Sequence, residues 1–299
     1  MKNKSTSQTG GVLLILLAGI FWGSMGLFVR RLEALGFDAF QITAVRLRFA
    51  ALGFCLILLL RDPKGFRIAP RDLPLFLGLG LGSILFFTLC YFTAISIMPL
   101  STAAILLYTS PIWVTLLSAL LFHERLTPLR LLALALAFGG CVLVSGPGGE
   151  LSLRGLLIGL GAGLGYGLYS ILGTIALRRY SPLTVTAWTF LIAGLGSAFL
   201  RSPLGVWAKL QALPAETPVW SLLLFFALMA LVTAVIPFLS YTLGLRTVEP
   251  GRAAILATVE PLVATLFGAL VFHEPLTLLS ALGIALILSA VVLLNGKKE

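Results

Sequence analysis

The chain has 299 residues, of which 59% are hydrophobic and 11% charged, and its mean hydropathy is +1.07. Soluble domains carry about 25% charged residues, so these values exclude a soluble globule of this size, and they exclude disorder equally. The formal charge of +10 would suggest nucleic acid in a soluble protein. Here the apolar residues form long blocks with short basic stretches between them, which is the pattern of a multi-pass helical membrane protein.

About 20 helical residues cross a hydrocarbon core of about 30 Å. The blocks predict ten spans, at about 11–29, 40–60, 73–95, 101–121, 128–146, 154–177, 184–200, 219–245, 251–271 and 276–295. The first follows Lys2 and Lys4, lacks a clear small-residue cleavage site and is followed by further spans, so it reads as a span and not as a leader. Counting Lys and Arg by side gives 14 with the termini and the even-to-odd loops, against 5 on the other side. That ratio places both termini in the cytoplasm and accounts for the basic balance without nucleic acid. Cys55, Cys90 and Cys141 all fall in apolar blocks, with no metal spacing, and read as packing residues.

The sequence repeats itself. Ala103-Ala104-Ile105-Leu106 returns as Ala253-Ala254-Ile255-Leu256, Pro111 as Pro261, Phe122-His123-Glu124 as Phe272-His273-Glu274, and Gly146 as Gly296, all 150 residues apart. Tyr91 matches Tyr241 at the same offset, while Trp22-Gly23 matches Tyr166-Gly167 at an offset of 144. The expected organisation is therefore two five-helix repeats, 1–147 and 148–299. Five is odd, so the second must insert upside down relative to the first. Inverted repeats give two conformations of similar energy, open to opposite sides, which is the basis of alternating access.

Trp22-Gly23, Arg46 with Ala50, Ala103 to Leu106 with Pro111, Leu120 to Glu124, and Ala253 to Pro261 with Glu274 resemble the EamA-type family of the drug/metabolite transporter superfamily. The resemblance covers nearly the whole chain. It implies spans 1–4 and 6–9 around a central cavity, with spans 5 and 10 at the periphery, often at a homodimer contact. It also implies transport of amino acids, nucleotide sugars, organic cations or other small metabolites, often by export across a bacterial inner membrane.

Within that frame, Pro111 and Pro261 each remove a backbone donor about ten residues into a span and read as hinges. Glu260 is the one acid placed deep in a span. It reads as a proton carrier or as the counter-charge for a cationic group. Ser110 stands at its repeat-equivalent position. Arg46 and Arg48 lie about 10 and 13 Å into span 2 at 1.5 Å per residue. Arg46 could fork onto a substrate carboxylate, pair with Glu260, or bond backbone carbonyls. Trp22, Tyr91, Tyr108, Tyr166 and Tyr241 form an inner aromatic set that could bind a cation or a planar ring. Trp113, Tyr169 and Trp188 share it. The substrate-binding expectation thus comprises Trp22, Arg46, Tyr91, Tyr108, Ser110, Tyr166, Tyr241 and Glu260. Gly159, Gly163 and Gly167 form a close-packing face. His123-Glu124 and His273-Glu274 read as helix ends, not a metal site.

The expected function is secondary transport of a small polar metabolite such as an amino acid, with a proton as coupling ion and no cofactor. An organic-cation or choline-type carrier is the alternative. An enzyme acting on lipid-linked substrates would need acids or histidines clustered at one interface, and here they are scattered.

Overall fold

The computed structural model describes residues 3–97, 100–145, 152–199, 202–211, 218–273 and 275–296, and no strand occurs among them. Eight helical segments there are long and apolar enough to cross a membrane. We label the apolar helices in chain order α1 (Gln8–Ala34), α2 (Ala39–Arg61), α3 (Pro70–Ala94), α4 (Ala103–Phe122), α5 (Pro128–Val144), α6 (Leu153–Ala176), α7 (Pro182–Phe199), α8 (Val219–Gly244), α9 (Pro250–Phe272) and α10 (Leu278–Leu294). Lys2, Gly146, the expected boundary at 147/148, Arg201, Glu274, Lys297 and Lys298 lie outside the described residues. A short helix at Pro203–Gln211, absent from the sequence reading, tucks Val206 and Leu210 against Leu222 and Phe226.

Local chemistry sets the helix ends. Asp38 and Gln41 form a reciprocal capping box at the start of α2, with bonds of 2.7 and 2.9 Å. His123 and His273 end α4 and α9 in left-handed backbone, at φ 57° and 55°. Each donates its N–H back to a carbonyl five residues earlier, Ser118 or Gly268, so both histidines act as helix terminators. The first helix runs on to Ala34, past the expected end, but turns at Ser24, whose hydroxyl takes the Phe21 carbonyl at 2.7 Å.

Interior irregularities also recur 150 residues apart. A π-helical segment interrupts α3 at Gly78–Leu85 and another interrupts α8 at Leu231–Val235, ending at equivalent positions. Both proline-bearing spans are broken, not merely kinked. In α4 the helix Leu100–Leu107 stops, Tyr108 and Thr109 form a turn, and Ser110–Phe122 begins anew with Pro111 in its first turn. In α9 the helices Pro250–Leu256 and Val259–Phe272 flank a turn at Ala257 and Thr258. A threonine hydroxyl caps each break, Thr109 to the Leu106 carbonyl at 2.6 Å and Thr258 to the Ile255 carbonyl at 2.7 Å.

Contacts between the ends sort the loops into two sets. Asp72 at the start of α3 accepts from Arg179 after α6 at 2.7 Å, and Arg252 in α9 donates to the Leu294 carbonyl of α10 at 2.6 Å. Arg130 at the start of α5 reaches Glu249 before α9. At the opposite end, Arg30 lies 4.0 Å over the Phe272 ring.

Helices α5 and α10, the expected peripheral spans, pack closely on each other. Within the chain they run antiparallel, and a Cβ added at Gly140 would lie 2.7 Å from the Gly283 carbonyl, with the reverse distance also 2.7 Å. Small residues let the backbones meet, and lipid provides no hydrophobic drive to replace that contact. Gly140→Leu or Gly283→Leu should therefore lower the melting temperature in detergent, at a cost of about 1–3 kcal/mol from overpacking. Gly26→Ala, at a position with open space around it, should melt at or above the parent.

Candidate functional site

The two breaks in α4 and α9 meet beside a small cavity of about 20 Å³, lined by Trp22, Ser110, Val114, Tyr166, Gly167, Tyr169, Ser170, Phe238, Tyr241, Ala254 and Ala257. Close approach of the helices shapes its walls. Gly163 of α6 lies where an added Cβ would fall 2.7 Å from the Leu106 carbonyl and 3.3 Å from that of Leu107. Leu107 is the residue whose carbonyl Pro111 deprives of its usual donor. In α9 the corresponding Ala257 carbonyl accepts instead from Glu260 N at 3.0 Å.

Aromatic rings form one side. Trp22 sits edge-on to Phe238 at 5.0 Å and Tyr166 at 6.1 Å, and is tilted against Tyr241 at 5.4 Å. Its indole Nε1 is buried and without a hydrogen-bond partner among the described residues, although Trp22 is only 7% exposed. Trp113 and Trp188 also leave Nε1 unpartnered, but neither lines the cavity.

Hydroxyl pairs tie α6 to α8. Tyr169 OH and Thr242 Oγ1 are 2.7 Å apart, and Ser170 Oγ and Tyr241 OH 2.8 Å. Thr242 gives its own proton to the Phe238 carbonyl at 2.7 Å, so Tyr169 must be the donor in the first pair. Ser110, 5% exposed, begins the second half of α4, so its hydroxyl and backbone N–H stand at a helix N-terminus on the cavity wall.

Charge lies just behind this lining. Tyr166 OH donates to Glu260 Oε2 at 3.1 Å, and Glu260 stands in the first turn of the second half of α9, where the helix dipole favours a carboxylate. Arg46 is buried; its Nη1 donates to the Thr233 carbonyl at 3.2 Å and approaches Met25 Sδ at 3.6 Å, while Nε has no partner among the described residues. Thr233 belongs to the π segment of α8, where wider winding leaves a carbonyl reachable from outside. Of the three roles open to Arg46 in the sequence, the structure uses the backbone carbonyl. No ion pair joins Arg46 to Glu260 among the described residues, yet each lies within the other's electrostatic range. Arg48 reaches the Ser197 carbonyl at 3.2 Å.

Of the expected substrate residues, Trp22, Ser110, Tyr166 and Tyr241 meet on the cavity wall. Glu260 connects to it through Tyr166. Tyr91 and Tyr108 stand off it; the Tyr91 ring is tilted against Phe92 at 5.9 Å, and Tyr108 packs beside Cys141, Val259 and Leu262. Tyr169, of the wider aromatic set, lies on the wall as well, while Ser170, Phe238 and Thr242 are not singled out by the sequence. Their spacing was the available signal: Phe238, Tyr241 and Thr242 share one helix face, and Tyr166, Tyr169 and Ser170 share another.

The description of the EamA-like transporter family matches this chain twice, over residues 9–146 and 153–296. The chain belongs to that family. It is a multi-pass membrane protein. It is 34% identical over 287 residues to an uncharacterized transporter of Archaeoglobus fulgidus, covering 95% of each chain. It is 28% identical to the threonine/homoserine exporter RhtA of Salmonella typhimurium, over 83% of this chain and 79% of that one. Over a stretch of 116 residues, 39% of each chain, it is 36% identical to the pseudopaline exporter CntI of Pseudomonas aeruginosa. A crystal structure superposes with a TM-score of 0.78 at 20% identity, covering 95% of this chain and 96% of that one, and so shares the fold. The relatives carry the names of transporters or exporters, not of enzymes.

The hydroxyl pairs give a direct test of the wall. Thr242→Val should strand the buried Tyr169 hydroxyl and cost about 1–3 kcal/mol of stability. Adding Tyr169→Phe should recover part of that loss, since both partners are then apolar. A double-mutant cycle on detergent melting curves measures the coupling.

Proposed function

We propose that the chain is a secondary active transporter that exports a small polar metabolite, an amino acid or related compound, across the bacterial cytoplasmic membrane. In this reading all ten helices span, 1–147 and 148–299 are inverted halves, both termini are cytoplasmic, and the halves exchange access to the cavity. A second copy could dock on the outer faces of α5 and α10.

The observation that carries the reading is the cavity at two broken helices, with the unpartnered Trp22 Nε1 on its wall and a carboxylate one hydrogen bond behind it. Trp22 Nε1 and the Ser110 end of a half-helix present donors, which suits a substrate carboxylate. Glu260 suits an ammonium group, or a proton that leaves when the substrate enters. Tyr166 touches both the cavity and Glu260, so substrate binding and the state of that carboxylate are linked through one hydroxyl. The name of RhtA supports the amino-acid class.

The aromatic wall of Trp22, Tyr166, Tyr169, Phe238 and Tyr241 favours a second reading, an organic cation held on ring faces. Melting curves with threonine, homoserine and choline separate the two, because a ligand bound only by the folded state raises the melting temperature. Stabilisation by threonine or homoserine, weakened about tenfold in Trp22→Phe, supports the amino-acid reading. Stabilisation by choline alone, lost in Glu260→Gln, supports the cation reading. In proteoliposomes, Glu260→Gln should abolish acceleration of transport by a proton gradient while leaving the fold intact by melting curve.

A further inference from the structure

We propose that Arg130 is a positioning residue for transport: with Glu124 and Glu249 it forms a latch that shuts one end of the cavity, so that the structure is the state open to the other side. The proposal rests on alternating access and concerns how the two states are balanced.

Glu124 follows α4, Arg130 lies in the first turn of α5, and Glu249 immediately precedes α9. Arg130 Nη1 donates to Glu124 Oε2 at 2.9 Å and to the Arg125 carbonyl at 3.2 Å, while Nη2 donates to Glu249. One guanidinium therefore joins carboxylates from the two halves of the sequence. The Arg130 and Glu124 side chains are 6% and 5% exposed, that of Glu249 60%. Exposed ion pairs contribute little, but removing one partner from a buried pair leaves an uncompensated charge and is costly. Glu124 also lies against the start of α9, where a Cβ at Gly251 would come within 2.9 Å of its Oε2.

Helix packing at the two ends differs in the same sense. At the latch end, Ser110–Phe122 of α4 packs on Pro250–Leu256 of α9. At the other end, the equivalent halves, Leu100–Leu107 and Val259–Phe272, make no comparable packing among the described residues. The broken helices thus converge at the latch and part away from it. Arg178 over the Phe122 ring at 5.4 Å and Arg30 over the Phe272 ring at 4.0 Å brace α6 to α4 and α1 to α9, so each brace lies within a packed pair and not across the parting. Ser280 stands 150 residues after Arg130, so the other end cannot build the same ion cluster.

The latch also responds to protons. Burial pushes the Glu124 carboxyl up against the pull of Arg130, and Glu249 adds to the rise. Those two are the charged groups acting on it from neighbouring elements, with the Gly251 backbone N–H from α9. When the latch parts, water returns Glu124 toward its ordinary value. The closed state therefore holds the proton more tightly, is favoured at low pH, and weakens as pH rises through the raised value.

The test uses the full chain with Cys55, Cys90 and Cys141 replaced by Ala and a single cysteine at the cavity residue Ala254. A membrane-impermeant maleimide is applied to right-side-out and everted vesicles. The parent should label mainly from the side opposite the latch. Arg130→Gln and Glu249→Gln should raise labelling from the latch side at least fivefold, Arg130→Lys should restore most of the parent pattern, and Glu124→Gln should flatten its pH dependence. Glu249→Gln carries the test if Arg130→Gln does not fold. Unchanged sidedness in folded Arg130→Gln and Glu249→Gln overturns the latch while alternating access stands. If added threonine, homoserine, choline or a change of pH never alters the labelled side, in the parent or any variant, the alternating-access reading fails as well.

Discussion

Two helices are broken inside apolar spans, and the rest of the molecule has to answer for the groups those breaks release. Hydrocarbon offers no hydrogen bonds, so each freed carbonyl and N–H must find a protein partner or face a water-filled space. Thr109 and Thr258 take one carbonyl at each break. Glycines at 163 and 19 let a neighbouring helix close over the remaining backbone, Gly163 on Leu106 and Leu107, Gly19 on Ala257 and Val259. What is left opens on the cavity. The breaks therefore explain why the glycine faces of α1 and α6 exist, and why the space lies between them.

The same constraint governs the charges. A bare carboxylate or guanidinium in the interior is expensive. Glu260 is met by Tyr166 and by the start of a half-helix; Arg46 is met by a carbonyl that the π segment of α8 makes reachable. Neither arrangement fills every bond the group can make. A fully satisfied pair would be a rigid structural element, whereas these two retain unused capacity near a cavity. That is the difference between charge that holds a fold and charge that can respond to a ligand.

The apolar blocks, the basic loops and the 150-residue offset were legible because span length, charge between spans and Pro, His or Glu in register are linear features of a sequence. The matched histidine caps and the two breaks followed from them. Most of the cavity wall was not legible. Helices that face lipid are apolar all round, so hydrophobicity does not say which side looks inward. Phe238 and Thr242 could be placed only by the rotation of α8 against α6, and the π segments, which carry no residue signature, shift that rotation. Tyr91 is expected at the site from residue type and its repeat match to Tyr241, and Tyr108 from residue type alone. Both lie off the pocket wall, Tyr91 tilted against Phe92 and Tyr108 packed beside Cys141 and Leu262, yet both stand within electrostatic range of Glu260.

Sequence duplication gives two halves with one architecture, but it does not give two ends with one energy. Gly140 against Gly283 and the paired histidine caps treat the halves alike. Arg130 does not, since serine stands in its place 150 residues later. Two states related by symmetry would be equally populated without ligand. Moving an equilibrium from balance to strong bias takes only a few kcal/mol of differential interaction. In the proposed latch, one guanidinium between carboxylates of opposite halves, placed at one end only, biases that balance toward one resting state. In the proposed cycle, symmetry supplies the pair of conformations, and the residues that break it decide which one waits for substrate.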